Sequence, residues 1–184
     1  MTLGGAPDWY IIVWQWDKGK CTAHQNLAIS GNQECYQASF NILDPKCVLV
    51  TGNGVYKYYK FKETGLKPEH QSMAKKESHI SNRFMCHTWM PDGKIIVATD
   101  QGELLLCESN GECKMMLSCS PKDGFCIESI LVNTKGFMIC GDYGTVMVFE
   151  NRGASDPKNP FALLAKWPSE DTSAREDHTS QRNS

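Results

Sequence analysis

The sequence KIIVATDQGELLLCE, Lys94 to Glu108, contains two short runs of apolar, mostly branched residues on either side of a polar turn. The runs are Ile95 to Ala98 and Leu104 to Cys107, and the turn between them ends in Gly102. Because glycine adopts positive φ without strain, this pattern predicts a tight antiparallel hairpin. Both strands are apolar at consecutive positions, so both of their faces are predicted to be buried between two layers.

The same pattern recurs along the chain. The repeats, with their turn glycines, are Leu3 to Asp17 (second half only), Lys46 to Lys62 (Gly54) and Gly136 to Glu150 (Gly144). The corresponding strand ends are 45, 46 and 42 residues apart, and they are Trp16, Phe61, Cys107 and Phe149. A period of about 40 to 50 residues with four short strands in each repeat is typical of propeller blades.

We therefore predict an all-β fold, a partial β-propeller of the WD-repeat type with about three four-stranded blades plus part of a leading blade. A β-sandwich or another all-β stack is the weaker hypothesis, because neither requires a repeated hairpin with glycine at the same offset. Residues 1–167 form the incomplete ring in this prediction. Residues 168–184 form a polar tail that we expect to be disordered, since Ala174 is its one apolar residue beyond Pro168.

Three blades and a part are too few to close the wide ring that WD repeats commonly form. The end blades then expose apolar faces, with Ile12, Trp14 and Trp16 as candidates on the N-terminal side, and such faces favour self-association. Met1 falls near the middle of a blade, so we expect a fragment, an isoform or an incomplete gene model.

Composition places the chain among ordinary globular proteins. It has 184 residues, 41% hydrophobic and 22% charged, with a net charge of -2 that gives no electrostatic reason to bind nucleic acid or an anionic membrane. The apolar run near the start, Tyr10 to Trp14, is too short to span a membrane, and no signal peptide is visible. We expect a cytoplasmic protein.

Nine cysteines are scattered through the chain, mostly inside apolar strands. Cys107, Cys113, Cys119 and Cys126 are candidates for metal or redox chemistry, but their spacings lack the C-x-x-C pattern of structural zinc sites. Cys86 and His87 are adjacent in a strand and therefore point to opposite faces. The pattern favours reduced, buried thiols, and we expect no metal and no cofactor.

The aromatic residues at the strand ends are predicted to be core. Trp14 and Trp16 alternate in an apolar strand, and Phe61 and Phe149 occupy equivalent positions in later repeats. A large aromatic side chain in a two-sided apolar strand is buried far more often than it forms a ligand platform.

A second functional hypothesis, a nucleic-acid-binding propeller fragment in the cytoplasm, depends on the run Tyr56 to Lys62 and on Lys75-Lys76. Aromatic rings interleaved with lysines stack bases and neutralise phosphates in single-strand binders. The same run also fits a strand whose lysines reach solvent along their apolar stems. Salt-sensitive binding to single-stranded RNA distinguishes the two.

The sequence contains no enzyme motif that we recognise. It lacks the G-x-S-x-G elbow, the G-x-x-x-x-G-K phosphate loop and the H-E-x-x-H helix. Asp100 and Asp142 lie at equivalent turn positions, and such repetition predicts hydrogen bonding to the turn backbone rather than a single catalytic site. The sequence therefore favours a non-enzymatic protein.

Four blocks, taken together, resemble the N-terminal WD-repeat region of the cilia- and flagella-associated protein 57 family. They are GGAPDWYIIVWQWDKGK (Gly4 to Lys20), VTGNGVYKYYKF (Val50 to Phe61), HTWMPDGKIIVATDQGELLLCE (His87 to Glu108) and KGFMICGDYGTVMVFE (Lys135 to Glu150). Their order and spacing are more specific than any one block. The sequence departs from ordinary WD repeats, since the Trp-Asp pair is kept only at Trp16-Asp17.

The resemblance implies a protein-interaction scaffold in the axoneme of motile cilia or flagella. It implies partners among the inner dynein arms, their regulators and the doublet microtubules. Family members are longer, with more blades and a C-terminal coiled coil, and the present sequence shows neither of these.

Overall fold

The computed structural model describes residues 1–69, 80–121, 124–153, 156–157 and 159–168. Regular structure in these residues consists of fifteen β-strands and two single-turn 3₁₀ segments, Trp16–Lys18 and Asp142–Gly144. Lys75-Lys76 and the predicted tail from Ser169 onward lie outside the described residues.

The strands form four antiparallel sheets in which chain order and spatial order agree. The leading sheet contains β1 (Thr2–Leu3), β2 (Tyr10–Gln15) and β3 (Lys20–Asn26). The second contains β4 (Glu34–Phe40), β5 (Cys47–Asn53), β6 (Val55–Lys62) and β7 (Gly65–Glu69). The third contains β8 (Phe84–Trp89), β9 (Ile95–Thr99), β10 (Leu104–Cys107) and β11 (Cys113–Met116). The fourth contains β12 (Ile127–Asn133), β13 (Gly136–Gly141), β14 (Thr145–Asn151) and β15 (Phe161–Trp167). This arrangement confirms the predicted all-β partial propeller.

The third sheet is buried on both faces, as its two apolar strands predict. One core cluster joins it to the second sheet and includes Leu49, Tyr58, Ile95, Val97 and Leu105. Another joins it to the fourth sheet and includes Ile96, Ala98, Leu104, Phe137 and Phe149. Neighbouring residues of β9 therefore enter different clusters, which is the period-two alternation of a strand between two layers. A third cluster joins the leading sheet to the second.

The innermost strand of each four-stranded sheet carries a β-bulge at the same place. The register shifts around Tyr36 in β4, Met85 in β8 and Glu128 in β12, in each case near the start of the strand. A bulge adds local twist and bends the strand. Its recurrence shows that the repeat extends to irregular features that the hydrophobic pattern does not reveal.

The predicted core role of Trp14 and Trp16 is wrong. Trp16 leaves β2 for a 3₁₀ turn and is 89% exposed, and Trp14 is 43% exposed on the outer face of the leading sheet. An apolar strand buries both faces only when a sheet lies on each side, and among the described residues the leading sheet packs only on the second. Phe149 is buried, and Phe61 is partly buried against the cluster between the leading and second sheets.

Candidate functional site

A hydrogen-bonded joint connects the second and third sheets. His87 of β8 is 2% exposed and points toward the second sheet. Its Nε2 lies 2.6 Å from Ser39 Oγ and its Nδ1 lies 2.8 Å from Thr51 Oγ1, so each ring nitrogen has a hydroxyl partner. Trp89 Nε1 donates to the same Ser39 oxygen at 2.9 Å. The joint therefore connects the inner strand β8 to both β4 and β5.

The side chain of Gln37 completes this joint. Its Nε2 donates to the carbonyl oxygen of His87, and its Oε1 accepts from the backbone N–H of His87, both at 2.9 Å. The amide thus pairs with the backbone of β8 as a neighbouring strand would. Buried polar groups that all have partners fix one relative position of two packed elements, because any shift leaves groups unpaired.

The electrostatics of the joint indicate a structural role. Burial lowers the pKa of His87 to about 3, so the imidazole is neutral at physiological pH. Its ring partners are neutral hydroxyls, and the ring is enclosed by protein. A neutral, enclosed imidazole positions two blades and has no access to a substrate in solution. The sequence offered one signal for it, a histidine in a strand whose other residues, apart from Thr88, are apolar.

Two aspartates, Asp100 after β9 and Asp142 after β13, bond the turns in which they lie to other segments of the same sheet. Asp142 Oδ2 accepts from the backbone N–H of Cys126 at 2.7 Å, and Asp100 Oδ1 accepts from Ser81 Oγ at 2.6 Å. The backbone N–H of Asp100 donates to Arg83 O, and that of Asp142 donates to Cys126 O. Each aspartate therefore connects the turn of its sheet to the segment that enters the inner strand.

The three turn glycines all have positive φ, 64° at Gly54, 79° at Gly102 and 66° at Gly144. A β-branched side chain is strained in this region of φ. Gly144→Val is expected to lower the free energy of unfolding by roughly 1 kcal/mol or more, although a Cβ there meets no atom within 4 Å. Urea unfolding measures this, with Gly5→Val as the control because Gly5 has open space and no positive φ. Equal stability of the two variants would contradict the expectation.

The basic-aromatic run of β6 is part of the core. Tyr58 and Tyr59 are buried, and Tyr58 Oη donates to Ser109 O at 2.8 Å while Tyr56 Oη donates to Gly111 O at 2.7 Å. The Lys57 ammonium donates to carbonyl oxygens of the loop after β3. These rings and this cation are engaged within the protein, so they do not form the exposed stacking surface that the nucleic-acid hypothesis requires.

The nine cysteines all lie in the described residues, and they are thiols and not disulfides. Burial raises the pKa of Cys86 to about 12. Its thiol donates to Ile127 O of the fourth sheet, whereas the His87 side chain points toward the second sheet. Within the described ranges, no three His, Cys, Asp or Glu side chains are grouped so as to hold a metal ion. Cys21 and Cys140 are the cysteines with exposed side chains.

The surface carries exposed apolar side chains of two kinds. Some lie in turns, and these are Trp16, Ile42, Leu43 and Tyr143. Others lie on the outer faces of the first and last sheets, and these include Trp14, Leu131 and Trp167. Exposed apolar side chains such as these suit binding to other proteins. A polar cleft of 620 Å³ also opens between the leading and second sheets, beside Trp9, Gln33 and Asn53.

The described part of the chain contains no helix long and apolar enough to cross a membrane. No protein-family model matches the sequence. The chain is similar to cilia- and flagella-associated protein 57 A of Tetrahymena thermophila, with 32% identity over 90% of this chain and 13% of that protein. It is 33% identical to mouse cilia- and flagella-associated protein 57 over 61% of this chain and 8% of that protein. The chain thus spans only a small part of these relatives.

Solved structures with this fold confirm the propeller. The β-propeller domain of Cps50 (Swd1) from Myceliophteria thermophila superposes with a TM-score of 0.69 at 11% identity, covering 89% of this chain and 54% of that one. A functionally unknown protein from Desulfotomaculum acetoxidans gives a TM-score of 0.63 at 16% identity, covering 89% and 50%. At these identities the likeness concerns the fold alone. Sequence and fold together show that this chain is cilia- and flagella-associated protein 57-like, with its described residues forming part of a β-propeller.

Proposed function

We propose that this chain is a non-enzymatic protein-interaction scaffold of motile cilia and flagella, located in the axoneme. The observation that carries the proposal is the 32% identity, over 90% of the chain, to a protein named for its association with cilia and flagella. The polar side chains that meet in the structure support the non-enzymatic part of the proposal, because their contacts are structural. Those around His87 connect two sheets, and those of Asp100 and Asp142 hold turns in place. The exposed apolar turns then remain as the surfaces available to partners.

The finer part of the proposal names the partners as the inner dynein arms or their regulators on the doublet microtubule. The turn side chains Ile42, Leu43 and Tyr143 support a protein partner, since they are 63%, 62% and 98% exposed. Large apolar and aromatic groups of this kind are the usual anchors of protein–protein interfaces.

We expect a tagged full-length gene product to remain with the axonemes of motile cilia after detergent extraction. A scaffold bound to axonemal proteins resists extraction, whereas a cytosolic protein is released with the membrane and matrix. Immunoblotting of the extracted and pelleted fractions measures this, with the tag alone as the control. A diffuse signal in the cell body, with none in cilia, would contradict the axonemal role.

The partners are tested in the same axonemes by amine-reactive cross-linking and mass spectrometry. We expect cross-links between this chain and inner-arm dynein subunits or their regulators, and weaker recovery of those links for the double variant Ile42→Ser, Leu43→Ser. The control is Tyr10→Ser, which changes a side chain away from these turns. Cross-links to other axonemal complexes alone would remove the inner-arm proposal and leave the ciliary scaffold in place.

A further inference from the structure

Two cysteines face each other across the outer hairpin of the third sheet. Cys107 is the last residue of β10 and Cys113 is the first residue of β11, and their Cα atoms are partners in the register of the two strands. In the strands that the structure describes, every other cysteine lies opposite a residue of another type. The fold therefore distinguishes this pair from the remaining cysteines of the chain.

A β-bulge in β11 gives the pair its orientation. Regular alternation along the two strands would place Lys114 opposite Cys107, but the register shifts by one residue and Cys113 takes that position. Both cysteines enter the core cluster between the second and third sheets. The Lys114 ammonium instead extends to Glu112 at the surface, 3.0 Å away. The bulge therefore puts the two thiols on the same face of the sheet.

The pair occupies the kind of site in which facing side chains are closest. The backbone N–H of Glu108 donates to Glu112 O at 2.9 Å, and its carbonyl oxygen accepts from the N–H of Gly111 at 2.8 Å. Because hydrogen-bonded and non-hydrogen-bonded pairs alternate along antiparallel strands, the next pair, Cys107 and Cys113, is not hydrogen-bonded. The Cα atoms of such a pair are about 4.5 Å apart, within the range of about 4.4 to 6.8 Å that a disulfide spans.

The two thiols interact, and one of them lies at the edge of the sheet. The Cys113 thiol and burial together raise the pKa of the Cys107 thiol well above its ordinary value, so the pair reacts slowly while it is enclosed. Cys113 lies in the outermost strand of the third sheet, which is four residues long. A short outer strand opens locally more readily than a central strand, and this opening gives an oxidant access to the pair.

We propose that Cys107 and Cys113 are a redox-active pair, which a low-molecular-weight disulfide converts to a cross-strand disulfide. The Cys113 thiolate attacks one sulfur of the oxidant, which forms a mixed disulfide and releases the other sulfur as a thiol. The Cys107 thiol then loses its proton, and its sulfur attacks Cys113 Sγ and releases the second thiol. The protein loses two electrons and two protons, and one oxidant disulfide becomes two thiols. This proposal stands independently of the ciliary role.

The disulfide holds the turn by which the third sheet is bonded to the second. Tyr58 Oη donates to Ser109 O and Tyr56 Oη donates to Gly111 O, both from β6. These two carbonyl oxygens lie between the cysteines in the chain, so the cross-link restricts the segment that carries them. Oxidation therefore stiffens the contact between two blades, and it does so without a new partner.

Thiol mapping of the tagged full-length gene product, isolated under native conditions, tests the proposal. The protein is incubated with glutathione disulfide, and unreacted thiols are blocked with N-ethylmaleimide. Trypsin then releases residues 95–114 as one peptide that contains both cysteines. We expect this peptide to carry no maleimide and to be two hydrogens lighter than the dithiol. Further cleavage after glutamate should give residues 104–108 linked to residues 113–114, which identifies the bond.

Cys119 provides a matched comparison. Cys107 and Cys119 are each six residues from Cys113 in the chain, but Cys107 alone lies opposite it. In urea we expect links from Cys113 to both of them, whereas the folded protein should form only the link to Cys107. Cys107→Ser should abolish the internal disulfide of the peptide. Cys140→Ser, which removes a thiol of the fourth sheet, should leave it unchanged.

Three results would overturn the proposal. Alkylation of both cysteines in the folded protein, under conditions that oxidise them in urea, would show that the pair is not redox-active. A link from Cys113 to Cys119 in the folded protein, as frequent as the link to Cys107, would show that spacing in the chain and not the hairpin decides the pairing. Amide hydrogen exchange in residues 108–112 should slow on oxidation, and unchanged exchange would show that the disulfide does not hold the turn.

Discussion

Replacement of His87 by alanine is expected to lower the free energy of unfolding by about 3 to 5 kcal/mol. The substitution leaves a cavity between two sheets and removes the ring partners of the buried hydroxyl of Thr51 and the partly buried hydroxyl of Ser39. Urea unfolding at a fixed protein concentration measures the effect. Tyr143→Ala is the control, since it removes a ring that is 98% exposed. A change below about 0.5 kcal/mol, typical of surface sites, would mean that the joint does not hold the sheets together.

The pH dependence of stability separates the contribution of the neutral His87 imidazole from the contribution of the packing around the ring. The folded-state pKa of His87 is lowered from 6.5 to about 3, so the unfolded state binds a proton that the folded state does not bind between these values. The stability contributed by the neutral ring is therefore complete above pH 6.5 and is lost as the pH falls toward 3.

Wild type should lose about 1.4 kcal/mol per pH unit in this window more than His87→Gln loses, because glutamine does not titrate. Unfolding free energies at a series of pH values from 7 to 4 measure this difference. Parallel curves for the two proteins would contradict the buried, neutral state of the imidazole.

The second large effect is expected at Gly52, which lies opposite Cys35 beside the bulge of β4. A Cβ at this position would overlap the carbonyl oxygen of Glu34 and lie 2.8 Å from the Cα of Cys35. These are backbone atoms that cannot move aside as a flexible side chain does. We therefore expect Gly52→Ala to lower the free energy of unfolding by about 3 kcal/mol, at the upper end of the usual cost of overpacking.

Thermal and urea unfolding measure this effect, with Gly5→Ala as the matched control because a Cβ at Gly5 meets no atom within 4 Å. If Gly52→Ala unfolds together with the control, the two inner strands are farther apart than the structure shows. An intermediate loss with unchanged cooperativity would mean that the bulge moves to accept the methyl group.

The pattern of apolar residues and turn glycines predicted the four-stranded repeat, because the backbone geometry of a few adjacent residues controls strands and tight turns. In β9 and β10, apolar residues at every position required a neighbour on each face, and the structure places those strands between two clusters. The turn glycine and the strand length are also properties of a few adjacent residues, so the limits of β10 could be predicted from them. Composition narrowed the function less sharply, since the net charge of -2 gave no electrostatic reason to bind nucleic acid or an anionic membrane.

Tertiary structure decided which of these strands are buried and which polar side chains meet. Trp14 has the sequence environment of a core residue, but its exposure depends on whether another sheet covers the leading one. The partners of His87 lie 48 and 36 residues away in the chain, in a different sheet, so no local pattern reports them. The sequence by itself determined the blade, because its period is set by local backbone geometry. The joint between blades was decided only by how distant segments pack in space.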